Sequence, residues 1–95
     1  MPVVLDMTDL KTEDYIPEAG TVTMFTTSWC GYCRNLKKAM DADGISYREV
    51  NIEDVAGTAE IVEEFNGGNQ TVPTLIFSDG SAVTNPRIEQ VRERL

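Results

Sequence analysis

The chain has 95 residues, of which 41% are hydrophobic, so it is long enough for one compact domain and too short for two separate cores. Its 8 basic and 16 acidic residues give a net charge of −8, which argues against nucleic-acid binding because phosphate contacts need a surplus of lysine and arginine. We find no apolar run long enough for a signal peptide or a transmembrane helix, and we therefore expect a cytoplasmic protein without a membrane partner.

The predicted elements begin after an N-terminal extension, residues 1–20, which we expect to be mostly irregular with one short strand at residues 3–6. Residues 21–27, TVTMFTT, are rich in β-branched side chains and predict a strand. Helical spacing starts at Gly31 and should end near Asp43. The apolar face of this helix should consist of Cys33, Leu36, Ala39 and Met40.

The second half of the chain alternates strands and helices. Residues 46–52, SYREVNI, alternate polar and apolar side chains and predict a strand. A second helix should end at the Asn-Gly-Gly of residues 66–68, and residues 74–84 predict two strands joined by a tight Asp-Gly turn. For the last helix we expect Asn85 as the cap and Pro86 at the first helical position.

The element order is therefore β-α-β-α-β-β-α, which predicts an α/β domain over residues 21–95. Its sheet should be mixed and four-stranded, flanked by three helices. The first two strands, joined through a helix, should be parallel neighbours, and the last two should form an antiparallel hairpin.

The two cysteines of the chain, Cys30 and Cys33, lie where the first strand gives way to the first helix. Unpaired backbone N–H groups and the helix dipole favour a thiolate at that position, so Cys30 should be an exposed nucleophile. Cys33 follows one turn later, within disulfide distance and better buried. It should resolve a mixed disulfide by attacking it.

The charge pattern around the cysteines differs from that of the whole chain. No acidic residue occurs between Glu18 and Asp41, whereas Arg34, Lys37 and Lys38 all fall inside this window. A solvated helix face is the ordinary reason for such a cluster. Basic neighbours also favour a thiolate, and the pattern therefore suits a reactive sulfur.

Three other roles compete with redox chemistry for the cysteine pair. A structural zinc site needs four ligands, and two cysteines without a histidine do not supply them. An iron-sulfur cluster bridging two chains stays open, as does a pair of inert core cysteines. The CxxC spacing at a strand-to-helix junction favours a redox pair, and the lack of histidine removes Cys-His and Ser-His hydrolases.

Residues 71–74, TVPT, are the second informative stretch. A proline before a strand often only marks where the strand starts. A cis bond between Val72 and Pro73 would instead present the backbone of Val72 to an extended ligand, which would place the ligand's sulfur near Cys30.

These motifs resemble those of the thioredoxin superfamily and, within it, the glutaredoxins. The stretches TTSWCGYCRNLK, NGGNQTVPT and DGSAVTNP resemble the mycoredoxins, the actinobacterial glutaredoxin-like proteins that use mycothiol in place of glutathione. The resemblance covers about residues 20–95. It implies a monomeric enzyme with no bound cofactor, whose partners are mycothiol as co-substrate, S-mycothionylated proteins and, indirectly, mycothiol disulfide reductase.

The resemblance also implies roles for individual residues. Cys30 would attack a mixed disulfide between a protein and mycothiol, releasing the protein thiol, and a second mycothiol would then reduce the adduct on Cys30. Tyr32, Val72 and Pro73 match family positions that line the thiol site, and Trp29 belongs either to the same groove or only to the start of the helix.

Two departures from ordinary glutaredoxins concern the co-substrate. Thr27 stands where many glutaredoxins have a lysine, and Thr84-Asn85-Pro86 replaces a Gly-Gly with a nearby Asp; those features help to hold the two carboxylates of glutathione. Mycothiol has an acetyl group and a glucosamine-inositol unit instead. Hydrogen bonds to this neutral sugar would come from Asn69, Gln70, Thr84 and Asn85.

Two alternatives remain beside the mycothiol hypothesis. The first is a thioredoxin-like dithiol reductase that supplies ribonucleotide reductase and is recycled by thioredoxin reductase. Gly31 fits this alternative, because thioredoxins have a glycine at the same position. An iron-sulfur carrier bridging two chains is the alternative outside the redox enzymes.

Overall fold

The computed structural model describes residues 12–95. A 3-10 helix at Thr12–Tyr15 precedes the seven regular elements, and the strand predicted at residues 3–6 lies outside the described residues. None of the helices within residues 12–95 is long and apolar enough to cross a membrane. The elements are β1 (Val22–Thr26), α1 (Gly31–Ala42), β2 (Tyr47–Asn51), α2 (Thr58–Phe65), β3 (Thr74–Ile76), β4 (Ala82–Thr84) and α3 (Ile88–Arg94).

The four strands form one mixed sheet in the order β2-β1-β3-β4. β1 and β2 are parallel, with Thr26 opposite Asn51, while β3 is antiparallel to both β1 and β4. This arrangement confirms the predicted sheet, because a helical crossover makes β1 and β2 parallel and the short Asp-Gly connection closes the hairpin. The end of β1 and the start of β3 consequently lie side by side.

Alternation along β1 divides the core into two clusters. Met24 packs with residues of α1 and α3, such as Met40 and Val91, whereas Phe25 packs with Ile61 of α2. All five are almost completely buried. The buried β1 strand therefore anchors the sheet from both faces and holds the residues that follow it in a fixed position.

The segment before β1 is more ordered than the sequence indicates. Tyr15 is buried, its ring centroid lies 5.5 Å from that of Phe25, and its carbonyl accepts a 2.6 Å hydrogen bond from Thr23 Oγ1. Residues 12–20 therefore include one side chain of the core, although we predicted an irregular extension up to residue 20. The sequence pattern misses this contact because a single buried aromatic residue has no periodicity.

The start of α3 differs from the prediction. Asn85 does not cap the helix: its φ is 47° and its N–H donates a 2.7 Å hydrogen bond to the carbonyl of Pro73. Pro86 is therefore not at the first helical position, and α3 begins two residues later, at Ile88. Gln90 Oε1 accepts from the backbone N–H of Arg87, which flanks the helix start. The bond to Pro73 outcompetes the local capping signal.

Candidate active site

The site is built around a disulfide between Cys30 and Cys33, whose Cα atoms are 5.2 Å apart. β1 ends at Thr26, and the chain turns so that the N–H of Cys30 donates to the carbonyl of Thr27 at 3.4 Å. Cys30 has an extended backbone and occupies the N-cap position of α1. The side chain of an N-cap residue faces the free N–H groups of the first turn, so the turn after β1 directs the sulfur of Cys30 at those groups.

The electrostatic environment of Cys30 agrees with its predicted role, whereas its exposure does not. The N–H of Cys33 donates to Cys30 Sγ at 3.0 Å, a hydrogen bond that strengthens when the sulfur carries a negative charge. Cys30 is only 5% exposed and Cys33 only 1%. We predicted an exposed Cys30, and this was wrong for the disulfide form, because both sulfurs pack with the residues between the sheet and α1.

The loop of residues 71–74, which we call the docking loop, lies against this disulfide. The carbonyl oxygen of Val72 is 3.8 Å from Cys30 Sγ, and the Val72-Pro73 peptide bond is cis. Val72 is half-buried and Pro73 is buried. The structure therefore brings the two sequence motifs, CxxC and TVP, into one site.

Two aromatic side chains flank the cysteines and are largely exposed. Trp29 is 71% exposed and Tyr32 is 69% exposed. The indole Nε1 of Trp29 donates to Glu53 Oε2 at 3.2 Å. Each of these two residues directly precedes a cysteine in the sequence, so both rings lie next to the sulfurs along the chain.

Acidic side chains approach the site even though the surrounding sequence has none. The parallel pairing of β1 with β2 brings Glu49 to Thr26, whose hydroxyl donates to Glu49 Oε2 at 2.8 Å. Lys37 forms an ion pair with Glu49 at 3.0 Å. Burial raises the pKa of Glu49, but the hydrogen bonds from Thr26 and Lys37 outweigh this effect and the pKa lies below its ordinary value. Lys37 is consequently engaged with Glu49 and is not free to face the sulfurs.

Thr27 is the residue at the position of the glutaredoxin lysine. It is 7% exposed, and within residues 12–95 its hydroxyl is the buried side-chain polar atom that has no hydrogen-bond partner. A buried hydroxyl without a partner costs free energy, so Thr27 contributes less to stability than an apolar side chain of the same shape would.

Three of the polar residues predicted to bind the sugar have protein partners. The amide of Asn69 donates to the Asn66 carbonyl at 3.2 Å, and that of Gln70 to Glu63 Oε2 at 2.7 Å. The hydroxyl of Thr84 donates to Asn66 Oδ1. A sugar hydroxyl would have to replace these bonds, so their role in substrate binding stays a prediction.

Asn85, the fourth of these residues, lies in a groove of about 400 Å³ between α1 and the start of α3. Tyr32, which lies between the two cysteines in the sequence, is part of the lining of this groove. Its lining residues are Tyr32, Asn35, Leu36, Ala39 and residues 85–89.

Sequence reasoning missed three residues that shape the site: Glu49, Glu53 and Asn66. Glu49 and Glu53 reach it only through strand pairing and the loop that follows. Asn66 was visible only as part of a helix-ending Asn-Gly-Gly. Across residues 12–95, no group of three or more acidic, cysteine or histidine side chains is arranged to hold a metal ion.

Comparison with known proteins agrees with this geometry. The sequence model of the glutaredoxin family matches residues 22–83. The Mycobacterium tuberculosis (strain H37Rv) protein named "Putative glutaredoxin Rv3198A" is 53% identical over 74 residues, which are 78% of this chain and 88% of that protein. "Mycoredoxin 1" of Corynebacterium glutamicum is 41% identical over 70 residues, which are 74% of this chain and 86% of that protein.

Solved structures show the same fold at low sequence identity. A glutaredoxin from Archaeoglobus fulgidus has a TM-score of 0.67 at 20% identity, covering 90% of this chain and 96% of its own. A buckwheat glutaredoxin in complex with glutathione has a TM-score of 0.69 at 18% identity, covering 96% and 87%. Together with the CxxC pair, the sequence matches show that the chain belongs to the glutaredoxin family of thiol-disulfide oxidoreductases and is a homologue of the mycoredoxins.

Proposed function

We propose that the protein reduces mixed disulfides between mycothiol and protein cysteines. The Cys30 thiolate attacks the mycothiol sulfur, so the protein leaves as a thiolate and takes up a proton, and a disulfide joins Cys30 to mycothiol. A second mycothiol thiolate attacks the mycothiol sulfur of this adduct, which releases Cys30 and forms mycothiol disulfide. Mycothiol disulfide reductase then regenerates mycothiol. The reaction would take place in the cytoplasm, with the protein acting as a monomer.

The observation that carries this proposal is Thr27. In many glutaredoxins a lysine at this position helps to hold a carboxylate of glutathione, whereas here the position is buried and uncharged. Mycothiol has no carboxylate to neutralise. Its polar groups are hydrogen-bonding amides and hydroxyls, and a site without a cation at this position suits such a ligand.

The acidic residue Glu53 supports the same choice of thiol. It contacts Trp29, whereas Glu49 is already ion-paired with Lys37. Carboxylates close to a binding site repel the carboxylates of glutathione but not a neutral sugar conjugate. The 41% identity to "Mycoredoxin 1" supports the proposal independently.

The groove beside Tyr32 is the place proposed for the glucosamine-inositol unit. Asn85 and Asn35 contribute amides to its lining, and Tyr32 contributes an exposed ring. Sugars commonly bind to amide hydrogen bonds beside an aromatic face. The docking loop would align the cysteinyl part of mycothiol through the backbone of Val72.

A dithiol route is a second candidate because the two cysteines form a disulfide in this structure. Cys33 would attack the Cys30 adduct, release mycothiol and leave the disulfide that is observed. An external dithiol such as that of thioredoxin reductase would then have to reduce it. In that case the protein would act as a thioredoxin-like donor.

The decisive experiment compares three reducing systems on the same enzyme: mycothiol with its disulfide reductase, glutathione with its reductase, and thioredoxin reductase. The substrate for the first two is a peptide held in a mixed disulfide with the matching thiol. We expect the largest kcat/KM with mycothiol. Equal or better turnover with glutathione would overturn the mycothiol assignment, and efficient reduction by thioredoxin reductase would favour the dithiol donor. A brown dimer after anaerobic purification would point to the iron-sulfur carrier instead.

A further inference from the structure

Asn66, at the end of α2, connects three parts of the fold through one carboxamide. Its Nδ2 donates to the carbonyl of Val62 at 3.0 Å and to the hydroxyl of Thr74 at 3.2 Å. Its Oδ1 accepts the hydroxyl of Thr84. The side chain thus joins the last turn of α2 to the start of β3 and the end of β4, and its donors and its acceptor are all used.

Thr74 transmits this connection to the docking loop. It is completely buried, and its hydroxyl donates to the carbonyl of Thr71 at 2.8 Å while it accepts from Asn66. This bond closes the loop across Val72 and Pro73. On the other side of the loop, the carbonyl of Pro73 accepts from the N–H of Asn85 at 2.7 Å. The backbone of Val72 is therefore held between two anchors, of which Asn66 and Thr74 form one.

We propose that Asn66 is a positioning residue that sets the place of the Val72 backbone beside Cys30 and thereby the affinity for the incoming thiol. The inference rests on the proposed function to the extent that the docking loop receives the substrate. The hydrogen bonds of Asn66 reach Val62, Thr74, Thr84 and the residues of its own turn, not either sulfur. Its loss should consequently weaken substrate binding and leave the chemistry at Cys30 unchanged.

The test measures single-turnover release of a peptide thiol from mixed disulfides with mycothiol and, separately, with glutathione. In Asn66→Ala we expect the substrate concentration at half-maximal rate to rise roughly three- to tenfold, the range that a lost hydrogen bond produces. The maximal rate should stay within about twofold of wild type because no catalytic group changes. Thr74→Val should behave like Asn66→Ala, and Thr74→Ser, which keeps the hydroxyl, should lie closer to wild type.

Thr58→Val is the matched control at the opposite end of the same helix. Thr58 is also completely buried, and its hydroxyl donates to the Val55 carbonyl at 2.6 Å. This variant loses one buried hydrogen bond and should lower the melting temperature without changing the half-saturating concentration. In the oxidised protein, Asn66→Ala should shift the backbone amide NMR signals of Thr71 and Val72, whereas Thr58→Val should not.

The outcomes separate this inference from the proposed function. If the wild-type protein uses glutathione and not mycothiol, the mycothiol assignment fails. The effect of Asn66→Ala on the half-saturating concentration can then still be measured with the glutathione substrate, and its effect on the loop in the NMR spectrum. If Asn66→Ala only lowers the melting temperature, as Thr58→Val does, the positioning role is overturned. A fall in maximal rate at unchanged half-saturation, or unmoved Thr71 and Val72 signals, would overturn it as well.

Discussion

The backbone N–H of Cys33 points at the sulfur of Cys30 over 3.0 Å. A donor fixed in the first turn of α1 stabilises negative charge on Cys30 whether that charge arises by deprotonation or as a leaving group. The donor belongs to the backbone of Cys33, so it does not depend on the Cys33 side chain. The nucleophilic role of Cys30 and the resolving role of Cys33 can therefore be separated by mutation.

Cys33→Ser should keep activity toward a mycothiol mixed disulfide, because it retains the N–H that faces Cys30 Sγ. Cys30→Ser should lose that activity, since an alkoxide does not form at neutral pH in place of the thiolate. Coupled turnover with mycothiol and its disulfide reductase measures both variants. An inactive Cys33→Ser beside an active wild type would establish the dithiol route.

Glu53→Gln should raise kcat/KM with a glutathione mixed disulfide and leave the value with mycothiol nearly unchanged. The substitution removes a negative charge beside Trp29 while the amide still accepts the indole hydrogen bond. An exposed charge at this range is worth about 0.2–1 kcal/mol, which predicts an increase of roughly 1.5- to 5-fold. Glu93→Gln, an exposed acid in α3, is the control and should change neither value. Equal gains with both thiols would show that Glu53 does not select between them.

Thr27→Val should stabilise the protein and leave substrate binding nearly unchanged. Valine has the same shape and removes the buried hydroxyl that has no partner within residues 12–95, so the free energy of unfolding should increase by about 1 kcal/mol. Urea unfolding measures this gain, and the KM for the mycothiol mixed disulfide should stay close to the wild-type value because the hydroxyl is not accessible to a ligand. A variant that is less stable than wild type would mean that the hydroxyl is already satisfied in the free protein.

Glu49→Gln should reduce stability near pH 7, and the difference from wild type should vanish in acid. The pKa of Glu49 in the folded protein lies below its ordinary value of 4.5, so the ionised form contributes stability above that value and loses it as the pH falls through the lowered pKa. The side chain of Glu49 is 37% exposed, which limits the expected difference to about 0.5 kcal/mol. Thermal unfolding of both proteins between pH 7 and pH 2 checks this. A difference that does not shrink as the pH falls would exclude a charge effect.

Local patterns predicted the elements of the fold well, because each pattern depends on neighbouring residues. The β-branched run gave β1, the spacing of Cys33, Leu36 and Met40 gave α1, and both were confirmed within one residue at each end. The predicted start of α3 was wrong because Asn85 forms a backbone hydrogen bond to Pro73, a residue outside the local sequence pattern.

The candidate site was predictable where it depends on motifs and unpredictable where it depends on pairing. The CxxC and TVP motifs identified Cys30 and Val72, and in the structure the sulfur of Cys30 lies 3.8 Å from the carbonyl oxygen of Val72. The hydrogen bonds from Thr26 to Glu49 and from Thr84 to Asn66 span 23 and 18 positions. The first follows from the pairing of β1 with β2 and the second from the contact between the end of α2 and β4, and neither has a local signal in the sequence. The acid-free stretch of sequence was a poor guide to charge in space for the same reason.

Trp29 is the single tryptophan of the chain, and it directly precedes Cys30. Its ring is 71% exposed and its Nε1 is bound to Glu53, so we expect its surroundings to change when a ligand covers the site or the adjacent disulfide opens. Indole emission depends on solvent exposure and is quenched by a neighbouring disulfide. We therefore expect the emission of Trp29 to serve as an intrinsic reporter of the redox and ligation state of the protein, with which single-turnover kinetics can be followed without a label.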